Sequence, residues 1–243
     1  MTRSLACVFA HPDDETFTLG GTIARYADAG VHCSLYCATD GDAGRSAGIP
    51  VSSRAELGAL RRRELAAAAK VLGIGTVEMA GHGDGVLREV DPDALIGEIV
   101  LFLRRHRPDV VATFGPEGAP TGHRDHRVIS RAATAAFFLA GVSTAYPEQV
   151  DGDIQPHQPA RLFYGAWLPP AANAALRLQS VPATVAIDVR SFHERKRAAF
   201  RAHASQQGSQ VFFDQSLTDA EYLALAAGTP QPRAMMEDVF AGL

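Results

Sequence analysis

Short apolar runs alternate with segments of helical periodicity through the first 140 residues of the chain. The apolar runs have the length of strands, and the periodic segments are long enough for helices that cover a sheet. This alternation predicts βαβ units, in which successive strands run parallel and a helix connects each pair. The predicted strands are 5–10, 32–38, 76–80 and 110–114, and the predicted helices are 19–29, 54–72, 92–106 and 125–139.

The pattern is looser in the second half of the chain. Residues 145–159 are rich in Pro, Gln and Asp and are predicted to form a surface loop. Strands are predicted at 162–167 and 184–189, followed by a helix over 191–204, and the tail after Gly208 has no clear pattern. We therefore expect one domain, residues 1–243, of the α/β class. Its Rossmann-like, mostly parallel sheet is flanked by helices and followed by a smaller irregular C-terminal part.

Composition and charge indicate which kinds of binding partner the protein is not expected to have, nucleic acid and membrane among them. A net charge of −4 and a pI near 6.1 disfavour a nucleic-acid-binding protein. The apolar stretch 135–142 is far shorter than the roughly 20 residues that cross a bilayer, and the start of the chain has no signal-peptide pattern. We expect a cytoplasmic protein without membrane insertion. Its three cysteines, at positions 7, 33 and 37, are expected to be reduced and buried in strands.

A cluster of polar residues, His11 to Glu15, follows directly on the first predicted strand. In open α/β sheets, ligands bind in the crevice beyond the carboxyl ends of the strands. His11 and Asp14 offer the nitrogen and oxygen donors that suit zinc. The alternative is that Asp13 or Asp14 only caps the next helix, since Asp is a favoured N-cap residue.

A second cluster follows the fourth predicted strand and contains His123, Asp125 and His126. Loops after the first and fourth strands of such a sheet can face each other across one crevice, so both clusters can share one ion. Three protein ligands with an open position are typical of catalytic zinc, and His11, Asp14 and His126 supply that number.

The groups left uncoordinated suit proton transfer. Asp13 is the candidate general base for a zinc-activated water. His123 is the candidate donor where negative charge develops, and Asp125 is the candidate partner that fixes its tautomer. Asp125 is alternatively only a helix cap.

These residues carry a resemblance to the LmbE/PIG-L family of zinc-dependent de-N-acetylases that act on N-acetylglucosamine derivatives. The similar segments are Ala-His-Pro-Asp-Asp-Glu at 10–15, the Gly-rich loop 39–44, Arg61-x-x-Glu64, Arg-Pro-Asp-Val-Val at 107–111, Gly-His-x-Asp-His at 122–126, Ile-Asp-Val at 187–189, and 196–206. The resemblance implies a zinc ion on His11, Asp14 and His126, with Asp13 as base and His123 at the oxyanion or leaving amine.

The resemblance also suggests residues that hold the sugar. It implicates Asp42, Arg61 and Asp84, and His203 is a fourth candidate substrate-binding residue. For Arg61 an exposed helix charge, and for His203 a packing role, are equally good interpretations. Many family members carry Tyr at the position of Thr121, which has no phenol to reach an oxyanion.

The predicted function is a zinc-dependent hydrolase that removes an acetyl group from an N-acetylglucosamine-type amide through metal-activated water. Fe²⁺ also suits a His-His-Asp site. The expected partner is a small amino-sugar substrate rather than nucleic acid, and a homo-oligomer is left open. The alternatives are an amidase of a larger thiol or sugar conjugate, and a non-catalytic Rossmann-like sugar or nucleotide binder.

Overall fold

The computed structural model describes residues 3–167, 181–228 and 235–243. Seven strands are present in this part of the chain: β1 Ser4–Phe9, β2 His32–Thr39, β3 Thr76–His82, β4 Val110–Phe114, β5 Arg161–Ala166, β6 Val185–Asp188 and β7 Ala220–Gly228. The helices are α1 Asp14–Asp28, α2 Arg54–Leu72, α3 Pro92–His106, α4 Arg124–Leu139, α5 His193–Ala202 and α6 Gln210–Ser216.

The strands form one sheet in the order β3-β2-β1-β4-β5-β7-β6. Neighbouring strands from β3 to β5 pair in parallel, whereas β7 pairs antiparallel with both β5 and β6. Six strands therefore run in one direction and β7 runs against them. The predicted α/β class with a mostly parallel sheet flanked by helices is confirmed.

The chain reverses its direction across the sheet at β1. The order runs from β1 through β2 to β3 on one side, and then returns to β4 on the other side of β1. Such a switch point opens a crevice beyond the carboxyl ends of the two central strands. β1 is buried from Leu5 to Phe9, so the loop that leaves it starts from a fixed position in the core.

Polar caps, a proline and a glycine define the ends of helices α2 and α3. The Ser53 hydroxyl caps α2 by accepting from the Glu56 N–H, and Gly73 ends this helix in the left-handed conformation that glycine adopts without a Cβ clash. Asp91 caps α3, with Pro92 in its first turn.

The secondary structure differs from the prediction in two places. Helix α1 begins at Asp14 instead of Leu19, and Leu19 is a kink inside it, with φ −136°. The tail after Gly208, which has no clear pattern in the sequence, contains α6 and strand β7, and β7 lies between β5 and β6 in the main sheet. Strand β7 was not predicted because it is rich in alanine, which is depleted in strands.

The three cysteines are free and buried, in agreement with the prediction of reduced thiols. Burial raises the pKa of the Cys33 thiol to about 12. Within the described residues, no helix combines the length and the apolar character needed to cross a membrane.

Candidate active site at the carboxyl ends of β1 and β4

The turn after β1 presents three acidic side chains in succession. Asp13 has φ 119° and ψ −24°, a left-handed conformation that is uncommon for a residue with a side chain. Its N–H donates to Glu15 Oε2 at 3.0 Å, and its carbonyl accepts from the N–H groups of Thr16 and Phe17. Asp14 and Glu15 are buried in the first turn of α1, where negative charge is favourable.

The turn before α4 presents two imidazoles. His123 is the N-cap of this helix and is exposed, whereas Asp125 and His126 are buried in its first turn. The His126 ring stacks on Phe114, the last residue of β4, with centroids 3.9 Å apart and planes 6° from parallel. This contact fixes the direction in which the His126 ring faces the crevice.

The two turns meet across the crevice, as the sequence predicts. Asp14 Oδ1 lies 3.2 Å from His126 Nε2, and Asp14 Oδ2 lies 3.4 Å from His11 Nδ1. Donor atoms around a tetrahedral zinc ion, with bonds of about 2.0–2.1 Å, are about 3.3–3.4 Å apart. The ring of His123 lies 4.8 Å from that of His11. Potential ligand atoms of His11, His123 and His126 all lie within 4.8 Å of one another.

A third loop adds a carboxylate beside His11. Asp84, which follows β3, places Oδ1 3.0 Å from His11 Nε2, and Asp125 Oδ2 lies 3.3 Å from the same nitrogen. The Gly85 N–H also donates to Asp125 Oδ2, at 2.7 Å. His11, Asp84 and Asp125 form a second group of potential metal ligands within 4.8 Å of one another.

Charges in the cluster stabilise each other against burial. Burial raises the pKa of Asp14, but His126 and His11 outweigh burial and hold this pKa far below its ordinary value. Burial lowers the pKa of His11, but hydrogen bonds with Asp125, Asp14 and Asp84 outweigh it and hold this pKa well above the ordinary value. Burial also raises the pKa values of Asp84 and Asp125, but hydrogen bonds with His11 and neighbouring charges outweigh it and lower both.

This donor set fits a divalent metal ion. Imidazole and carboxylate are the ligands that zinc and iron(II) take in proteins. Asp125 Oδ1 is also buried and has no hydrogen-bond partner among the described residues. A metal cation bound in the cluster would offset the charge of Asp14, Asp84 and Asp125, whose burial is costly without a partner.

Asp13 has different surroundings from Asp14. Its Oδ2 lies 3.0 Å from the guanidinium of Arg61, which also donates to the carbonyls of Gly41 and Pro12. Burial raises the pKa of Asp13 to about 6, while Arg61 acts in the opposite direction. Arg61 is therefore no exposed helix charge, because it is buried against the predicted base.

His123 and Asp125 are adjacent, but their interaction differs from the prediction. The backbone N–H of Asp125 donates to His123 Nδ1 at 3.2 Å, whereas the Asp125 carboxylate turns to His11. Neutral His123 consequently carries its proton on Nε2. Burial, together with His11 and His126, lowers the pKa of His123. The backbone N–H of Asp125 thus sets the tautomer of His123, and the Asp125 carboxylate forms its hydrogen bond with His11.

The crevice forms a cavity whose polar wall contains the predicted ligands and base. Its lining includes His11, Asp13, Asp14, Arg61, Asp84, His123 and His126, with Phe17, Pro120, Thr121 and Phe212 around them. Thr121, at the position of the family Tyr, is exposed, and its Oγ1 lies 3.4 Å from His126 Nδ1.

Two of the four predicted substrate-binding residues lie outside this lining. Asp42 pairs with Arg54 at 2.8 Å and accepts from the Asp84 N–H at 2.9 Å, so it supports the loop that carries Asp84. The bond with Arg54 lowers the pKa of Asp42. His203 is fully buried behind the cavity, with Nε2 2.8 Å from Glu15 Oε1, so its position does not favour contact with a substrate. Sequence reasoning assigned no role to Glu15, although its place at the end of the segment Ala-His-Pro-Asp-Asp-Glu was a signal.

Known proteins are similar to this chain in sequence and in fold. The profile of the PIG-L family, described as GlcNAc-PI de-N-acetylase, matches residues 6–137. A protein of Rhodococcus jostii (strain RHA1), named 1D-myo-inositol 2-acetamido-2-deoxy-alpha-D-glucopyranoside deacetylase, is 34% identical over 84% of this chain and 82% of its own length.

Solved structures show the same fold with different named activities. An N,N'-diacetylchitobiose deacetylase from Pyrococcus horikoshii superposes with a TM-score of 0.76 at 22% identity, over 92% of this chain and 83% of that chain. GalB, a 4-carboxy-2-hydroxymuconate hydratase from Pseudomonas putida KT2440, has a TM-score of 0.77 at 20% identity, over 96% and 99% of the two chains. The fold alone therefore does not decide the reaction. The profile covers more than half of the chain and includes both clusters of the crevice, and the chain belongs to the PIG-L family.

Proposed function

We propose that this protein is a zinc-dependent hydrolase that removes the acetyl group from an N-acetylglucosamine-type amide. The observation that carries the proposal is the pair of adjacent aspartates: Asp14 contacts the candidate metal ligands His11 and His126, whereas Asp13 pairs with Arg61 and is not a candidate ligand. A sugar or nucleotide binder needs no free base at such a site. The names of the relatives, which are deacetylases of N-acetylglucosamine-type substrates, support the same reaction class.

The metal-binding residues in this proposal are His11, Asp14 and His126. His126 Nε2 lies 3.2 Å from Asp14 Oδ1 and His11 Nδ1 lies 3.4 Å from Asp14 Oδ2, so each imidazole neighbours a different oxygen of the same carboxylate. A zinc ion bound there would act as a Lewis acid toward the amide carbonyl and would make a water molecule more acidic. Iron(II) suits the same donors, so metal analysis of protein purified from its natural source is needed to identify the ion.

The other residues move protons. Asp13 accepts a proton from the water that attacks the acetamide carbonyl, and a pKa of about 6 leaves it ionised and basic near neutral pH. Arg61 holds the Asp13 carboxylate toward the cavity. His123 is exposed at the cavity with its proton on Nε2, so it donates to the oxyanion or to the leaving nitrogen. The C–N bond breaks, and acetate and a free amine leave.

The experiment is a panel of N-acetylglucosamine conjugates incubated with zinc-loaded protein, with amine release as the measurement. The panel contains an inositol glycoside, a chitooligosaccharide and a larger thiol conjugate. We expect the zinc-loaded protein to release an amine from at least one sugar amide. The metal-free protein should release none. Release from the thiol conjugate alone favours the amidase alternative, and no release from any compound contradicts the proposal. Cytoplasmic location and homo-oligomerisation stay predictions.

A further inference from the structure

Glu15 and His203 form a buried pair directly behind the cavity. Both residues are 0% exposed. His203 Nε2 donates to Glu15 Oε1 at 2.8 Å, and the Thr16 hydroxyl donates to the same oxygen. The two side chains lie close enough to form an ion pair. Such a buried ionic pair is costly to form and is a weak source of stability, which raises the question of its role.

The second oxygen of Glu15 points to the base. Glu15 Oε2 accepts the backbone N–H of Asp13 at 3.0 Å. Asp13 has φ 119°, a conformation that persists only where its surroundings enforce it. This hydrogen bond holds the N–H of the strained residue, while Arg61 holds its carboxylate.

We propose that Glu15 and His203 are positioning residues that hold the backbone of Asp13 in its left-handed conformation and thereby aim its carboxylate at the attacking water. This inference rests on the proposed function, because that function makes Asp13 the base. His203 comes from the end of α5, 188 residues further along the chain, and it fixes the Glu15 carboxylate through one hydrogen bond. The pair acts through Asp13 and touches no reacting atom.

The test compares loss, conservative and control variants in the zinc-loaded protein. Glu15→Met and His203→Leu remove the two partners of the pair. Glu15→Gln keeps one oxygen for the Asp13 N–H. The control is the double variant Lys196→Met with Glu221→Met, because Glu221 is also a buried carboxylate that accepts N–H groups of α1, from Gly21 and Thr22, without contact to Asp13.

We expect Glu15→Met and His203→Leu to lower kcat by roughly 10- to 100-fold with KM within about twofold and zinc content unchanged, since a small misplacement of a reacting group has effects of this size. Glu15→Gln should retain more of kcat than Glu15→Met, and the control should keep wild-type kcat. Wild-type kcat in Glu15→Met, or an equal loss of kcat in the control, overturns the inference.

A second measurement does not depend on turnover. Hydrogen exchange of the Asp13 amide, followed by NMR, should be slow in wild type and in the control, and at least about tenfold faster in Glu15→Met, because the N–H loses its acceptor. Unchanged exchange overturns the positioning role. If wild type hydrolyses no compound of the panel, the proposed function fails, and the exchange rates still decide whether the pair holds Asp13.

Discussion

Asp13 and Asp14 are neighbours in the sequence whose carboxyl groups have different properties. Asp14 lies between His126 and His11, and these imidazoles keep its pKa low in spite of burial. Burial raises the pKa of Asp13 to about 6 because the single guanidinium of Arg61 only partly offsets it. At the scale of single residues, the environment separates a candidate metal ligand from a candidate base.

Asp13→Asn should lose at least about 100-fold in kcat, because the amide cannot accept the proton of water. Zinc content, measured by mass spectrometry, should stay at the wild-type level, since Asp13 is not a proposed ligand. His126→Ala is the matched variant and should lose zinc. Full turnover in Asp13→Asn, or loss of zinc from it, contradicts the division of roles.

Removal of the metal should also lower thermal stability. An ion that binds only the folded chain stabilises it, so chelation should reduce the melting temperature of wild type and of Asp13→Asn. His126→Ala lacks a proposed ligand, and its melting temperature should respond much less to added zinc. Equal responses of all three proteins in differential scanning fluorimetry would argue against His126 as a ligand.

At the scale of secondary-structure elements, the ends of helices position the candidate site. α1 begins at Asp14 and α4 begins after His123, so the first turn of each helix carries site residues to the crevice. Helix α1 is interrupted at Leu19, which has a non-helical φ of −136°. Helix α2 brings Arg61 to Asp13, and its two ends are fixed by Ser53 and Gly73.

Loss of the α2 cap should reduce stability. Ser53→Ala removes the acceptor of the Glu56 N–H and should lower the free energy of unfolding by about 1 kcal/mol in urea denaturation. Ser209→Ala is a matched control, because Ser209 precedes α6 without a side-chain capping bond. A control loss as large as that of Ser53→Ala would show that capping is not the cause.

At the scale of the whole molecule, a buried ion pair joins distant parts of the chain. Lys196 of α5 and Glu221 of β7 lie 2.7 Å apart, at 2% and 4% side-chain exposure. Glu221 accepts the N–H groups of Gly21 and Thr22, and Lys196 donates to the carbonyl of Phe17. The pair thus ties α1 to the C-terminal strands of the sheet.

Lys196→Met should lower the free energy of unfolding by about 3–5 kcal/mol, because it leaves the Glu221 charge buried without its partner. The double variant Lys196→Met with Glu221→Met should recover a large part of this loss. Arg197→Met breaks the exposed pair with Glu194 and should change stability by less than about 1 kcal/mol. Equal effects of the buried and the exposed single variants in denaturant unfolding would refute this explanation.

The sequence by itself determined the α/β class, six of the seven described strands and the two clusters at the ends of β1 and β4. These features depend on periodicity and on residues close in sequence, which a single chain displays directly. The family was also recognisable, because its motifs are short and local.

The tertiary structure decided which side chains become partners across the crevice. Asp84 and Asp125 meet at His11, Arg61 reaches Asp13, and His203 meets Glu15 instead of the cavity. These contacts join residues 48 to 188 positions apart, for example Arg61 and Asp13 or His203 and Glu15. Local periodicity carries no information on such pairs, because burial and charge at each position are set only when the elements pack together. The sequence therefore identified the chemical groups, and the fold assigned their surroundings.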